Sequence, residues 1–179
     1  MIYILLANGF EEIEALTPRD ILLRGGVDVK TVGVNSINVE SANKLKISTD
    51  VSIDDLNFEN LEGIILPGGM PGTTNLEKNQ KVLDLIHFCS KNKLLISAIC
   101  AAPSILGKMN ILENKDACCY PGFEKFLKNA NVNEKSVNVC ENIITSRGPG
   151  TVFDFSLSIL EYLKGEKLKT DVASQIQYF

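Results

Sequence analysis

The segment Leu94-Leu95-Ile96-Ser97-Ala98-Ile99-Cys100-Ala101-Ala102 constrains this chain most tightly. It reads as a buried strand that feeds a helix, beginning near Pro103-Ser104-Ile105-Leu106-Gly107, through one cysteine flanked at plus and minus two by alanine. Small neighbours let the chain turn sharply, which strains the central residue and sets its side chain at the mouth of a sheet. Helix amides and the positive dipole end would then face the sulfur and favour thiolate. Such a thiol titrates between roughly 3.5 and 7.5 instead of about 8.5. The competing reading is a plain buried core cysteine. The elbow context is harder to meet by chance than the cysteine itself.

The rest of the chain alternates strands with helices. Residues 2–7 predict a strand, followed by a helix through Glu11-Glu12-Ile13-Glu14-Ala15-Leu16 that ends before Gly25-Gly26. Residues 27–34 predict a second strand, and 37–50 an excursion of short strands outside the main alternation. Gly63-Ile64-Ile65-Leu66 is a buried strand running into Pro67-Gly68-Gly69. A helix is predicted over 80–91, the elbow strand over 94–99 and a short helix from Ala101. Further strand spans 137–146, and a helix over 152–163 packs through Phe155, Ile159, Leu160 and Leu163. This order predicts one α/β domain over residues 1–179, with a mainly parallel sheet covered on both faces. Ligands of such sheets bind beyond the carboxyl ends of strands. Glu14, Gly68-Gly69, Cys100 and Arg147-Gly148-Pro149-Gly150 all follow strands, so they converge on one cleft.

Composition narrows the function classes. The chain has 179 residues, 45% hydrophobic and 22% charged, which suits a globular domain with an ordinary core. A formal net charge of −4, without a block of like charge, argues against nucleic acid or a polybasic membrane patch as partner. No apolar stretch approaches the roughly 20 residues of a membrane span. Met1-Ile2-Tyr3-Ile4-Leu5-Leu6 lacks the basic start and cleavage site of a signal peptide, so a cytoplasmic protein is expected. The five cysteines have no zinc-ligand spacing and do not suggest a disulfide framework. Cys118 and Cys119 are expected on opposite faces of a strand, and Cys89 and Cys140 in apolar surroundings.

Four motifs, in order, carry a family resemblance: Glu11-Glu12-Ile13-Glu14, Leu66-Pro67-Gly68-Gly69, Ala98-Ile99-Cys100-Ala101 and Ser146-Arg147-Gly148-Pro149-Gly150-Thr151. On them the chain resembles the ThiJ/PfpI superfamily over nearly its whole length, most closely the branch of Parkinson disease protein seven and its bacterial relatives. The resemblance implies a flavodoxin-like, Rossmann-like three-layer sandwich. It also implies a homodimer paired through the first helix, where Ile21, Leu22 and Leu23 stand in a row without a single core face.

By the same resemblance Cys100 is the reactive cysteine and Glu14 the carboxyl that reaches its sulfur. A protonated Glu14 can hydrogen-bond a thiolate, and a desolvated carboxyl beside an anion has a raised pKa. The helix alone leaves Glu14 equally readable as a surface residue. Pro18 removes the amide that would bond the Glu14 carbonyl, so the helix is expected to be irregular there. The amides of Gly69 and Ala101 are the expected oxyanion donors, with Gly68 shaping the turn. Arg147 either anchors an anionic or carbonyl substrate or makes a structural ion pair.

The branch carries a histidine where this chain has Tyr120 in Cys119-Tyr120-Pro121. A phenol titrates near 10, so it can orient a substrate oxygen but is a poor base at neutral pH. The only histidine is His87, expected on a solvated helix face. Superfamily proteases place histidine directly after the cysteine, where this chain has Ala101. Related glutamine amidotransferases need a histidine downstream of it, and none follows Cys100. The function implied by resemblance is therefore a glyoxalase or protein deglycase acting on methylglyoxal, glyoxal or early glycation adducts, without metal, glutathione or other cofactor. The alternative is an oxidative-stress sensor or redox-regulated chaperone that uses a Cys100 sulfinate. Superfamily naming also attaches such proteins to thiazole monophosphate biosynthesis, for which no specific feature is present.

Overall fold

The computed structural model describes residues 1–178. Its core is a seven-stranded sheet in the order β10-β11-β7-β6-β1-β2-β5. The central strands are β1 (Ile2–Leu6), β6 (Gly63–Leu66) and β7 (Leu95–Ile99), all fully buried. Their unbroken apolar sequence reflects burial on both faces, as parallel strands under helical layers require. Strands β2 (Val29–Gly33), β5 (Val51–Ser52) and β11 (Ile143–Ser146) extend the parallel set. The edge strand β10 (Val137–Cys140) pairs antiparallel with β11, so the predicted 137–146 strand is a hairpin.

Side chains alternate along each strand into two cores. Ile2, Ile4 and Leu6 join Ile65, Leu95 and Ile99 beneath α1 (Glu12–Arg24), α5 (Val152–Lys164) and α6 (Glu166–Gln175). Leu5, Ile64, Leu66, Ile96 and Ala98 face α2 (Gly72–Glu77), α3 (Gln80–Lys91) and α4 (Pro103–Lys108). This is the expected three-layer flavodoxin-like sandwich. Helix α3 has the predicted bounds, and its start is fixed by the Asn79 side chain, which accepts from the amides of Lys81 and Val82. The 37–50 excursion is an antiparallel hairpin of β3 (Asn38–Glu40) and β4 (Lys46–Ser48). It is tied to the loop after β1, where the Gly9 amide donates to the Glu40 carbonyl at 2.7 Å. A small separate pair, β8 (Asp116–Ala117) and β9 (Asn131–Val132), lies beside β10.

Several expectations need correction. Helix α1 is continuous across Pro18. Buried Ala15, Ile21 and Leu22 hold its two halves against one core, and one missing amide does not outweigh that packing. Glu14 is 0% exposed, so it is not a surface residue. Ile21 and Leu22 face the core, whereas Leu23, Leu16 and Ile13 remain exposed as a second apolar face. The strand before the paired cysteines ends at Ala117. Cys118 donates from Sγ to the Thr145 carbonyl at 3.3 Å, and Cys119 joins the core beneath α2, α3 and α4. Cys140 is half-buried on an edge strand, not enclosed in the core. His87 is exposed on α3 as expected. No helix among the described residues is long and apolar enough to cross a membrane.

Candidate active site

Cys100 follows β7 with φ of 65°, a left-handed conformation unusual for a residue with a side chain. Two distant segments hold it there. Its amide donates to the Ser146 carbonyl at the end of β11 at 3.0 Å, and its carbonyl accepts from the Tyr120 amide at 2.8 Å. Ser146 is itself fixed, donating from Oγ to the Ser136 carbonyl at 2.8 Å. Ser146 opens a motif noted in the sequence, but its support of the elbow depends on the parallel β7–β11 pairing.

Glu14 reaches this elbow from the first turn of α1. Its Oε2 accepts from the Gly68 amide at 2.8 Å, while Oε1 is buried without a hydrogen-bond partner. Gly68 is required by space: a Cβ there would lie 2.7 Å from Cys100 Cβ, 2.8 Å from Glu14 Oε2 and 3.1 Å from Cys100 Sγ. The Gly68 amide is thus committed to Glu14, leaving Gly69 and Ala101 as the amides that act on the sulfur. Gly69 has φ of 88°, and a Cβ there would meet the Glu11 amide nitrogen and the Gly9 carbonyl, both at 2.5 Å.

Burial dominates the electrostatics. It raises the Glu14 carboxyl from its ordinary 4.5 to about 7, against the opposing pull of the Gly68 amide and Cys100. It also pushes the Cys100 thiol up to about 12, helped by the Glu14 charge and opposed by the Gly69 and Ala101 amides. The expected depression of Cys100 by a following helix is therefore corrected. Helix α4 has only six residues and starts at Pro103, three positions beyond the sulfur. The first proton lost, near 7, therefore comes chiefly from the carboxyl, and thiolate is the minor form in which the remaining proton sits on Glu14 instead of sulfur.

The other candidates lie around this pair. Tyr120 is 46% exposed. Its ring carbon Cδ2 lies 3.1 Å from where a Gly148 Cβ would stand, so Gly148 leaves room for the ring. Arg147 makes no ion pair among the described residues. Its guanidinium donates to the Glu134 carbonyl at 3.4 Å, and its charge acts on Cys118 and Cys119, with none resolved on Cys100. It lines an adjoining pocket of about 430 Å³ with Cys119, Glu124, Asn133 and Glu134. Among the described residues, no three His, Cys, Asp or Glu side chains gather into a metal site.

A profile of the DJ-1/PfpI family matches residues 1–162. The chain belongs to this family. DJ-1beta of Drosophila melanogaster is 35% identical over 95% of this chain and 92% of its own length. A glutathione-independent glyoxalase, DJR-1.2 of Caenorhabditis elegans, is 35% identical over 87% of this chain and 83% of its own. The Parkinson disease protein 7 homolog of Danio rerio is 32% identical, over 97% and 93% respectively. The crystal structure of the Drosophila DJ-1beta superposes with a TM-score of 0.95 over 99% of this chain and 97% of that one, at 32% identity. An oxidized DJ-1 of Toxoplasma gondii superposes at 0.94 over 99% and 97%, at 28% identity. The DJ-1/PfpI family thus accounts for the sandwich.

Proposed function

We propose that this protein is a cysteine-dependent, cofactor-independent glyoxalase that also acts on early glycation adducts as a deglycase. The observation that carries the reading is the placement of Glu14 against Cys100, across a glycine that leaves no room for a side chain. A relative of 35% identity that is named a glutathione-independent glyoxalase supports it.

Cys100 thiolate attacks the aldehyde carbon of methylglyoxal, forming the C–S bond. The aldehyde oxygen takes the Glu14 proton while the Gly69 and Ala101 amides offset its developing charge, giving a hemithioacetal. Glu14 carboxylate then removes the proton on that carbon and returns a proton to the neighbouring carbon. The product is a lactoyl thioester, and water cleaves it to lactate and the thiol. No electron carrier is needed, because one carbon is oxidised as its neighbour is reduced. Purified protein should form lactate from methylglyoxal, whereas Cys100→Ser should not. Absence of lactate with the parent protein overturns the reading.

A second reading, a redox sensor with chaperone activity, is favoured by the same carboxyl and amides, which suit a Cys100 sulfinate, and by the oxidized relative. Mild peroxide should add two oxygens at Cys100 before Cys89, Cys118, Cys119 or Cys140. Earlier modification of Cys140, also half-buried, would argue against it.

A further inference from the structure

At the end of the sheet remote from Cys100, two turns carry charged side chains where the backbone favours other residues. Helix α3 ends in a Schellman turn, in which the Lys93 amide donates to the Ser90 carbonyl at 3.2 Å and the Leu94 amide to the Cys89 carbonyl at 2.9 Å. The left-handed position of this turn, commonly glycine, is Lys93 with φ of 55°. The hairpin of β10 and β11 turns through Glu141 and Asn142 between the paired Cys140 and Ile143, and Glu141 also has φ of 55°. Gly, Asn and Asp are the residues that two-residue turns favour at such an angle. Elsewhere in the chain Asn60, Asn110, Asn114 and Asn129 take the left-handed conformation.

Lys93 and Glu141 line one cavity of about 570 Å³, where β7 and β11 begin. Glu141 Oε2 accepts from Lys115 Nζ, and the charges of Lys115 and, less strongly, Lys93 hold the Glu141 carboxyl below its ordinary range. Lys115 is balanced by that pair, whereas Lys93 makes no ion pair among the described residues. One ammonium is thus left unbalanced on a chain of net charge −4. Ile111, Ile143 and Tyr162, which is 44% exposed, complete the lining with apolar surface. Asn142 ties the two turns together, donating from Nδ2 to the Leu94 carbonyl at 2.7 Å and accepting the Ile96 amide at 2.9 Å. A cavity held in this way loses little freedom when a ligand enters.

We propose that this cavity binds a small apolar or aromatic monocarboxylate, with Lys93 on the carboxylate and Ile111, Ile143 and Tyr162 against the body of the ligand. Its volume falls within the roughly 300–1,000 Å³ of small-molecule sites. One unbalanced ammonium matches one negative charge, and Glu141 repels a second. The site lies at the opposite end of β7 from Cys100, so it does not rest on the glyoxalase reading.

The test uses para-fluorobenzoate on the whole protein, with para-fluorobenzamide and para-fluorobenzylammonium as neutral and cationic counterparts, and reads binding from fluorine NMR linewidths. The benzoate should bind with a dissociation constant on the order of 1 mM, several-fold more tightly than either counterpart. Lys93→Gln should weaken it about three- to tenfold and Lys93→Arg should retain it. Glu141→Gln, which frees Lys115, should tighten it about threefold. Lys93→Gly should weaken the benzoate as Lys93→Gln does, yet its unfolding midpoint should not fall below the parent value, because glycine suits the left-handed turn. Cys100→Ser should bind as the parent does. Equal binding of the three probes, binding unmoved by Lys93→Gln, or binding lost in Cys100→Ser overturns the inference.

Discussion

The Gly68 amide donates to Glu14 Oε2 at 2.8 Å, joining residues 54 positions apart. This bond fixes the proposed general acid to the turn that carries the proposed oxyanion donor, so in the proposed mechanism proton transfer and charge stabilisation share one support. It also holds a buried carboxyl whose ionisation opposes folding.

That opposition has a definite sign. Glu14 ordinarily titrates at 4.5 and is raised to about 7 in the fold. The folded state therefore holds the extra proton, and stability present below the unfolded value is lost as pH rises through the folded one. The shift corresponds to about 3 kcal/mol. Urea unfolding of the parent and Glu14→Gln at pH 4.5 and pH 8 should show the parent losing about 3 kcal/mol relative to the variant. A constant difference between the two proteins would contradict the raised carboxyl.

Glu14→Leu and Tyr120→Phe should separate acid–base chemistry from orientation. Because the Glu14 charge raises the thiol, Glu14→Leu should move thiolate absorbance to lower pH and still lower turnover by about 10² to 10⁴. Tyr120→Phe should act as loss of one exposed hydrogen bond, roughly 0.5 to 1.5 kcal/mol. Turnover unchanged in Glu14→Leu, or a larger loss in Tyr120→Phe, would mean that the proposed roles are wrong.

Gly68→Ala should damage both fold and chemistry, because its new Cβ would sit 2.7 Å from Cys100 Cβ and 2.8 Å from Glu14 Oε2. Overpacking of this kind costs about 1–3 kcal/mol. Gly150→Ala is the control, since nothing lies within 4 Å of its added Cβ. Thermal unfolding and lactate formation should fall for the first and hold for the second. Equal behaviour of the two would remove the steric argument for Gly68.

The exposed face of α1, with Ile13 at 45%, Leu16 at 38% and Leu23 at 43%, adjoins Phe153 at 43% on α5. Apolar faces of this kind commonly lie at subunit interfaces. Sedimentation at micromolar concentration should show a dimer, and Leu16→Glu with Leu23→Glu should shift it to the 19.6 kDa monomer. A parent that sediments only as the monomer would refute the homodimer.

What could be read without the structure followed the range of each interaction. Strands β1, β6 and β7 announce themselves because burial on both faces writes an unbroken apolar run. Helix α3 carries its own start signal in Asn79. Helix α2 does not, because Gly72, Thr73 and Thr74 are weak helix formers and the turn forms through burial of Leu76. Helix α6 buries only Val172, so its sequence has little apolar face to reveal. Cys100 was legible because an elbow is local. The burial of Glu14 was not, since its anchor is distant in sequence and Pro18 obscured the periodicity. The thiol was expected too acidic because helix amides were weighed without the burial of the sulfur.

The two backbone bonds of Cys100 make its elbow geometry a late event in the life of the chain. Residues 100, 120 and 146 must all be in place before the elbow is held. Closing such separations comes late because the entropy lost is recovered only when the contacts form. The left-handed turn at Cys100 thus reports that β7, β11 and the segment at Tyr120 have come together, so it marks the docking of the far edge of the sheet on its centre.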